Sequence, residues 1–211
     1  VSAPRDPERA NEPSTSASRA RPVLVGRVSA VCIGPGGIPK HAVESARVGP
    51  TGVEGDRQRF RFHGGPNRAL CLFSVEDYAS LRRDGVACEA PGTFGENVLT
   101  EGLDFRELRA DDELVIGDEA LVLGATRLDV DEARTRDTTD LGVDEPNGST
   151  LVRIAIHDVR EPCKTLKSVD PRFPNLMLGR SGFVCRVIQG GELCAGMSIR
   201  RVDVRTVPGS V

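Results

Sequence analysis

A mainly β fold with a few short helices is what this sequence predicts, on three observations. Its apolar residues fall into short runs rich in Val, Ile and Leu. Gly (23) and Pro (14) together make up about a sixth of the 211 residues, more than average usage, and they separate those runs as turns. Only one stretch carries a clear helix start. Short strands alternating with tight turns point to a closed or nearly closed β barrel.

Residues 1–21 are rich in Ser, Ala, Pro, Arg and Glu, without a hydrophobic period. Such a segment buries too little surface to offset its ordering entropy and is expected to be a disordered tail. Residues 23–33 read as the first strand, ended by Gly34-Pro35-Gly36-Gly37, and 42–48 as a second. In Arg57-Gln58-Arg59-Phe60-Arg61-Phe62, an extended backbone would put the three arginines on one face and both rings on the other. His63-Gly64-Gly65-Pro66 reads as a tight turn and 69–73 as a short apolar strand. Ser74 is a suitable cap for a helix over 75–83, whose first turn holds Glu76 and Asp77.

Pro91-Gly92-Thr93-Phe94-Gly95-Glu96-Asn97 reads as a loop, followed by strands near Val98 and over 113–116 and 120–128. Residues 127–150 hold seven acids against three Arg and read as a solvated acidic insertion. Strand character resumes over 151–159, 183–189 and 199–204. One domain over 22–205 with a short tail at 206–211 follows, which suits a chain of this length.

Several function classes are disfavoured. Aromatics are 4% of the chain, there is no Trp, and the net charge is −3, which argues against a nucleic-acid partner. No run approaches the roughly 18 apolar residues of a membrane helix. The six cysteines, at 32, 71, 88, 163, 185 and 194, form no CxxC pair, and no secretory leader is visible. They are expected to be reduced in a cytoplasmic protein, with Cys32, Cys71 and Cys185 buried in apolar runs. The same spacing disfavours structural zinc.

Two places are candidates for chemistry. In Arg160-Glu161-Pro162-Cys163-Lys164, the proline tends to end a strand and leave the thiol at its end. The flanking cations favour a thiolate, which attacks electrophiles or binds soft metals. The plainer alternative is an ordinary loop cysteine. The second place is the stripe of Arg57, Arg59 and Arg61 running into His63, Gly64, Gly65 and Arg68. Guanidinium groups suit bidentate phosphate or carboxylate, and the glycines permit close backbone approach. A solvated strand face with a hairpin turn is the competing reading. The Gly34 to Lys40 turn is a weaker anion cradle, and His41 and His157 lack partners at metal-ligand spacing.

Taken in order, Gly55-Asp56-Arg57-Gln58, His63-Gly64-Gly65-Pro66-Asn67-Arg68-Ala69, Pro91-Gly92 with Gly95-Glu96-Asn97, Gly102-Leu103-Asp104, Ile116-Gly117, Pro162-Cys163, and Arg186-Val187 with Gly190-Gly191 resemble the MOSC family. The family is named for the C-terminal domain of molybdenum-cofactor sulfurase, and the resemblance spans roughly residues 24–200. It implies a MOSC-type β barrel and the molybdenum cofactor (molybdopterin), in a stand-alone bacterial-type member. It also implies one cysteine, here Cys163, that ligates molybdenum or carries sulfur. Arg57, His63, Arg68 and Arg160 would then face the pterin phosphate, with Asn97 shaping the pocket. The acidic 127–150 segment departs from shorter stand-alone members.

Three functions are compatible with that resemblance. One is a reductase of N-hydroxylated small molecules, similar to the hydroxylaminopurine-resistance and amidoxime-reducing proteins, fed by a flavin or iron–sulfur partner. A sulfur carrier would hold a persulfide on Cys163 and take its sulfur from a separate cysteine desulfurase, since no pyridoxal phosphate domain is seen. The last is a cofactor-binding module without turnover.

Overall fold

The computed structural model describes residues 25–117 and 151–202. The tails expected at 1–21 and 206–211, the strand expected over 120–128 and the acidic stretch at 127–150 lie outside the described residues. Within them the strands are, in chain order, β1 Val25–Ile33, β2 His41–Val43, β3 Ser45–Gly49, β4 Gly52–Val53, β5 Leu70–Ser74, β6 Val98–Glu101, β7 Glu113–Ile116, β8 Val152–Val159, β9 Phe183–Gln189, β10 Gly191–Cys194 and β11 Ser198–Arg201. The one described α-helix, α1, covers Val75–Arg83, and the other helical pieces are short 3₁₀ turns. It is not long and apolar enough to cross a membrane.

Seven strands close into a barrel in the order β1, β6, β5, β9, β8, β7, β11 and back to β1, while β2 extends β1 outward. The closing seam pairs Val25 with Arg200 and Arg27 with Ser198. Closure leaves the barrel strands without a free edge. Six of the seven seams are antiparallel. The exception is β5 with β6, which run parallel because α1 carries the chain back between them. A small second sheet joins β10, β3 and β4.

Two apolar cores result. The barrel interior is filled by Val28, Leu70, Leu72, Ile154, Ile156 and Ile199, among others. Outside the wall, Phe73, Tyr78, Leu81, Phe94, Phe173 and Met177 pack a second core beneath α1. β1 serves both. Its register with β6 shifts between Val28 and Ala30, so Val28 and Val31 both point inward while Ala30 and Cys32 face the outer core. One extra residue thereby reverses the alternation of the strand.

Ser74 caps α1 by accepting a hydrogen bond from the Asp77 amide at 3.0 Å, as the sequence predicts. Three expectations are corrected. The single strand over 42–48 is two strands, broken at Glu44. Residues 57–60 are irregular and Arg61–His63 is a 3₁₀ turn, so the arginines do not form a strand stripe. An alternating pattern needs a partner strand, and none lies beside this segment among the described residues. Finally, Cys71 is only half-buried. Its neighbours Leu70 and Leu72 fill the barrel, so alternation turns Cys71 outward, beside the cavity described next.

Candidate functional site

A cavity of about 340 Å³ opens on the outer wall of the barrel, where the start of β5, the loops after β1, β4 and β8, and the Phe94–Asn97 turn converge. Its wall includes Arg57, His63, Arg68, Asn97, Arg160 and Cys163. The residues that the family resemblance assigned to the site therefore meet in one cavity. Arg59 joins them, but Arg61 does not line it. A volume of this size suits a small ligand or part of a larger one.

Cys163 caps the 3₁₀ turn Lys164–Ser168 from an extended backbone and is half-buried. β8 ends at Val159 and Pro162 keeps the following residues from resuming a ladder, so the thiol lies beyond the sheet at the cavity wall. Three residues earlier, Arg160 is tied down by its own backbone. Its amide donates to the Gly182 carbonyl at 2.9 Å, and its carbonyl accepts from Ser181 Oγ at 2.5 Å. One guanidinium nitrogen, Nη2, donates to the Phe94 carbonyl. The other, Nη1, is buried and has no partner among the described residues. Arg68 Nε is in the same condition.

Two guanidinium nitrogens kept dry and unpaired beside one cavity are costly. An unmet charged donor forfeits roughly 1–3 kcal/mol or more, and an anion in the cavity would recover it. His63 reports the same field. Burial holds its imidazole below the ordinary value, and the charges of Arg68 and Arg160 push in the same direction. His63 is therefore neutral at neutral pH. Because its folded value is depressed, the unfolded chain binds the proton first as pH falls. Its contribution to stability rises with pH between the lowered folded value and the unfolded value of about 6.5. An NMR titration should give His63 a midpoint below those of an ordinary histidine, moving upward when millimolar phosphate is added. A midpoint indifferent to phosphate would argue against anion binding beside Arg68 and Arg160.

The floor of the site rests on a buried ion pair. Lys40 Nζ donates to Asp56 Oδ2 at 2.7 Å, with side chains 8% and 1% exposed. Asp56 Oδ1 accepts from the Gly34 amide at 2.9 Å, and Oδ2 accepts from Asn97 Nδ2 at 2.9 Å. Asn97 also donates to the Cys32 carbonyl at 3.3 Å and accepts from the Cys71 amide at 3.3 Å. Its amide is thus spent on joining β1, β5 and Asp56, and it orders the wall. Gly92 locks the neighbouring turn against Lys40. It has φ +86°, and a side chain there would meet the Lys40 carbonyl at 2.4 Å, so only glycine fits.

Sequence reasoning passed over Asp56, Cys71 and Phe60 as wall residues. Asp56 stands beside Gly55 and Arg57 in a quoted motif, which was the available signal. Lys40 closes the Gly34 to Lys40 turn that the sequence offered as a weaker anion cradle, and Gly37, Ile38 and Lys40 of that turn do line the cavity. Three of the remaining thiols are held protonated by burial. Burial, then Glu96, pushes Cys32 up to about 12, and burial raises Cys88 and Cys185 as well. Among the described residues, no three His, Cys, Asp or Glu side chains gather as a metal site.

Comparison with known proteins agrees with this architecture. Among solved structures, the chain is similar to YiiM from Geobacillus stearothermophilus, at 21% identity and a TM-score of 0.58 over 86% of this chain and 76% of that one. It is also similar to the YuaD protein from Bacillus subtilis, at 16% identity and a TM-score of 0.57 over 85% and 97% of the two chains. A protein described only as hypothetical shares 22% identity with a TM-score of 0.54, over 86% of this chain, which spans 66% of that protein's length. At these identities the likeness is one of fold. No curated protein matches. The family model of the MOSC domain matches residues 59–200, which holds most of the barrel and all but the Arg57, Asp56 and Lys40 side of the cavity. The chain belongs to the MOSC domain family.

Proposed function

We propose that the chain binds the molybdenum cofactor in this cavity, with Cys163 as a thiolate ligand of the metal, and reduces N-hydroxylated compounds with electrons from an outside donor. The observation that supports this reading is the convergence of one thiol, Cys163, with two unpartnered guanidinium nitrogens, Arg68 Nε and Arg160 Nη1, on a single cavity. Those groups fit a pterin phosphate and a soft metal. With no cluster of three protein ligands among the described residues, a metal here would take its remaining ligands from the pterin.

When bound, the cofactor supplies a two-electron redox centre. Arg68 and Arg160 hold the phosphate, with Arg57 at the exposed side, and Cys163 anchors the metal side. Neutral His63 keeps one ring nitrogen free to accept a hydrogen bond. The net reaction takes R–NHOH, two electrons and two protons to R–NH₂ and water.

Molybdenum and pterin content after expression in a cofactor-producing host tests the reading. Stoichiometric metal is expected in the wild type and none in Cys163→Ala. Absence from the wild type, despite ample cofactor, would remove it. One observation favours a second reading, the sulfur carrier: Cys71 lines the same cavity as Cys163, so a second thiol stands beside a persulfide site. Mass spectrometry for a persulfide on Cys163, after incubation with a cysteine desulfurase and cysteine, separates the two.

A further inference from the structure

Every aromatic residue of the chain lies among the described residues, and only Phe60 and Phe62 are exposed, at 37% and 69%. They stack nearly parallel, 9° apart with centroids at 5.3 Å, and the His63 ring stands edge-on to both. Phe60 and His63 belong to the cavity wall while Phe62 faces outward, so the pair forms the rim. Leaving most of the Phe62 ring and part of Phe60 in water forgoes about 1–2 kcal/mol of burial. Nothing within the described fold recovers it.

The same rim is basic. Arg57, Arg59 and Arg61 are exposed, and none has a carboxylate partner among the described residues. Arg59 lies over the Phe60 ring at 5.6 Å. Lys164 and Lys167 are exposed on the turn that follows the wall residue Cys163, and Asp56 and Glu161 are the acids of the wall. This positive surface belongs to a chain whose net charge is −3. Cations segregated around one opening, with aromatic anchors at its edge, have the composition of a protein docking surface.

We propose that residues 57–63 dock an acidic electron-donor protein, its acidic face on the arginines and an apolar patch against Phe62. The proposal rests on the reductase reading above, because that reaction draws its electrons from outside and the donor must reach the mouth of this cavity. Attraction between opposite surfaces brings the donor in, and the rings fix its seat.

A flavodoxin, a small acidic flavin protein, serves as the probe, against the full-length chain and two variants, Arg61→Glu and Phe62→Ser. Neither residue lines the cavity, and both are exposed, so thermal melts should match the wild type. Flavodoxin binding, measured by calorimetry at low ionic strength, is expected to weaken about tenfold or more in each variant. It should also weaken in the wild type as salt shortens the Debye length from about 30 Å to 8 Å. Turnover of benzamidoxime driven by reduced flavodoxin should lose the same factor in kcat/KM, while turnover driven by reduced methyl viologen stays unchanged.

Failure of the wild type to bind flavodoxin, or equal binding by the variants, would overturn the proposal. So would tighter binding of a single-stranded oligonucleotide, or self-association through Phe62 in sedimentation. No viologen-driven turnover in the wild type would instead count against the reductase reading, and the calorimetry would still decide the docking surface by itself.

Discussion

Replacing Asp56 with asparagine is expected to destabilise the fold by about 3–5 kcal/mol. The change preserves shape and an acceptor for the Gly34 amide, but it leaves the ammonium of Lys40 buried without a counter-charge. Removing one member of a buried pair costs more than the pair contributes, because the survivor cannot regain its hydration. The Asn97 amide also loses its carboxylate acceptor. For a chain of this size the melting temperature should drop by roughly 10 °C, readable by circular dichroism. A double variant, Lys40→Met with Asp56→Asn, removes the stranded charge and should recover a large part of the loss. A single variant that melts within about 2 °C of the wild type would mean that Lys40 escapes to water.

Arg68→Met should act in the opposite sense on stability and binding. The side chain keeps its stem and loses a guanidinium whose Nε is buried without a partner. The apo-protein should be no less stable, since a field shared with Arg160 and His63 is relieved. Affinity for inorganic phosphate or a pterin monophosphate should fall by tenfold or more, the value of one charge-assisted hydrogen bond. Arg160→Met should weaken binding similarly but also cost stability, because it breaks the bond to the Phe94 carbonyl. Stability held at the expense of function is the mark of a binding residue. Phosphate affinity unchanged in Arg68→Met would separate that arginine from any anion site.

How far the sequence could be read follows from the range of each interaction. α1 was legible to the residue because its signals are local: a capping serine, acids in the first turn and arginines in the last. The strands β7 and β9 were equally legible as β-branched runs between turns. The segment 57–62 misled, since its alternation mimics a strand while strand formation depends on a neighbour that is absent here. β2 and β3 were merged because the break at Glu44 is set by two different partners, β1 and β10. The candidate residues around the cavity were assembled from family-like motifs. The Lys40–Asp56 pair, 16 residues apart, and the thiol of Cys71 turned toward the cavity depend on tertiary arrangement, which no local pattern encodes.

The seam between β1 and β11 has a consequence for how the chain comes to be folded. Its partners stand at opposite ends of the described chain, Val25 against Arg200, so the contact that completes the cylinder has nearly the largest sequence separation available. Contacts of that kind are slow to form, because the loop entropy is lost before the pairing is gained. On the ribosome, β1 can find β6 early, yet its other side waits as an unpaired strand until the last element has emerged. That interval is when the nascent chain is most open to strand-swapping with another copy, and a chaperone that shields a bare β edge would act there.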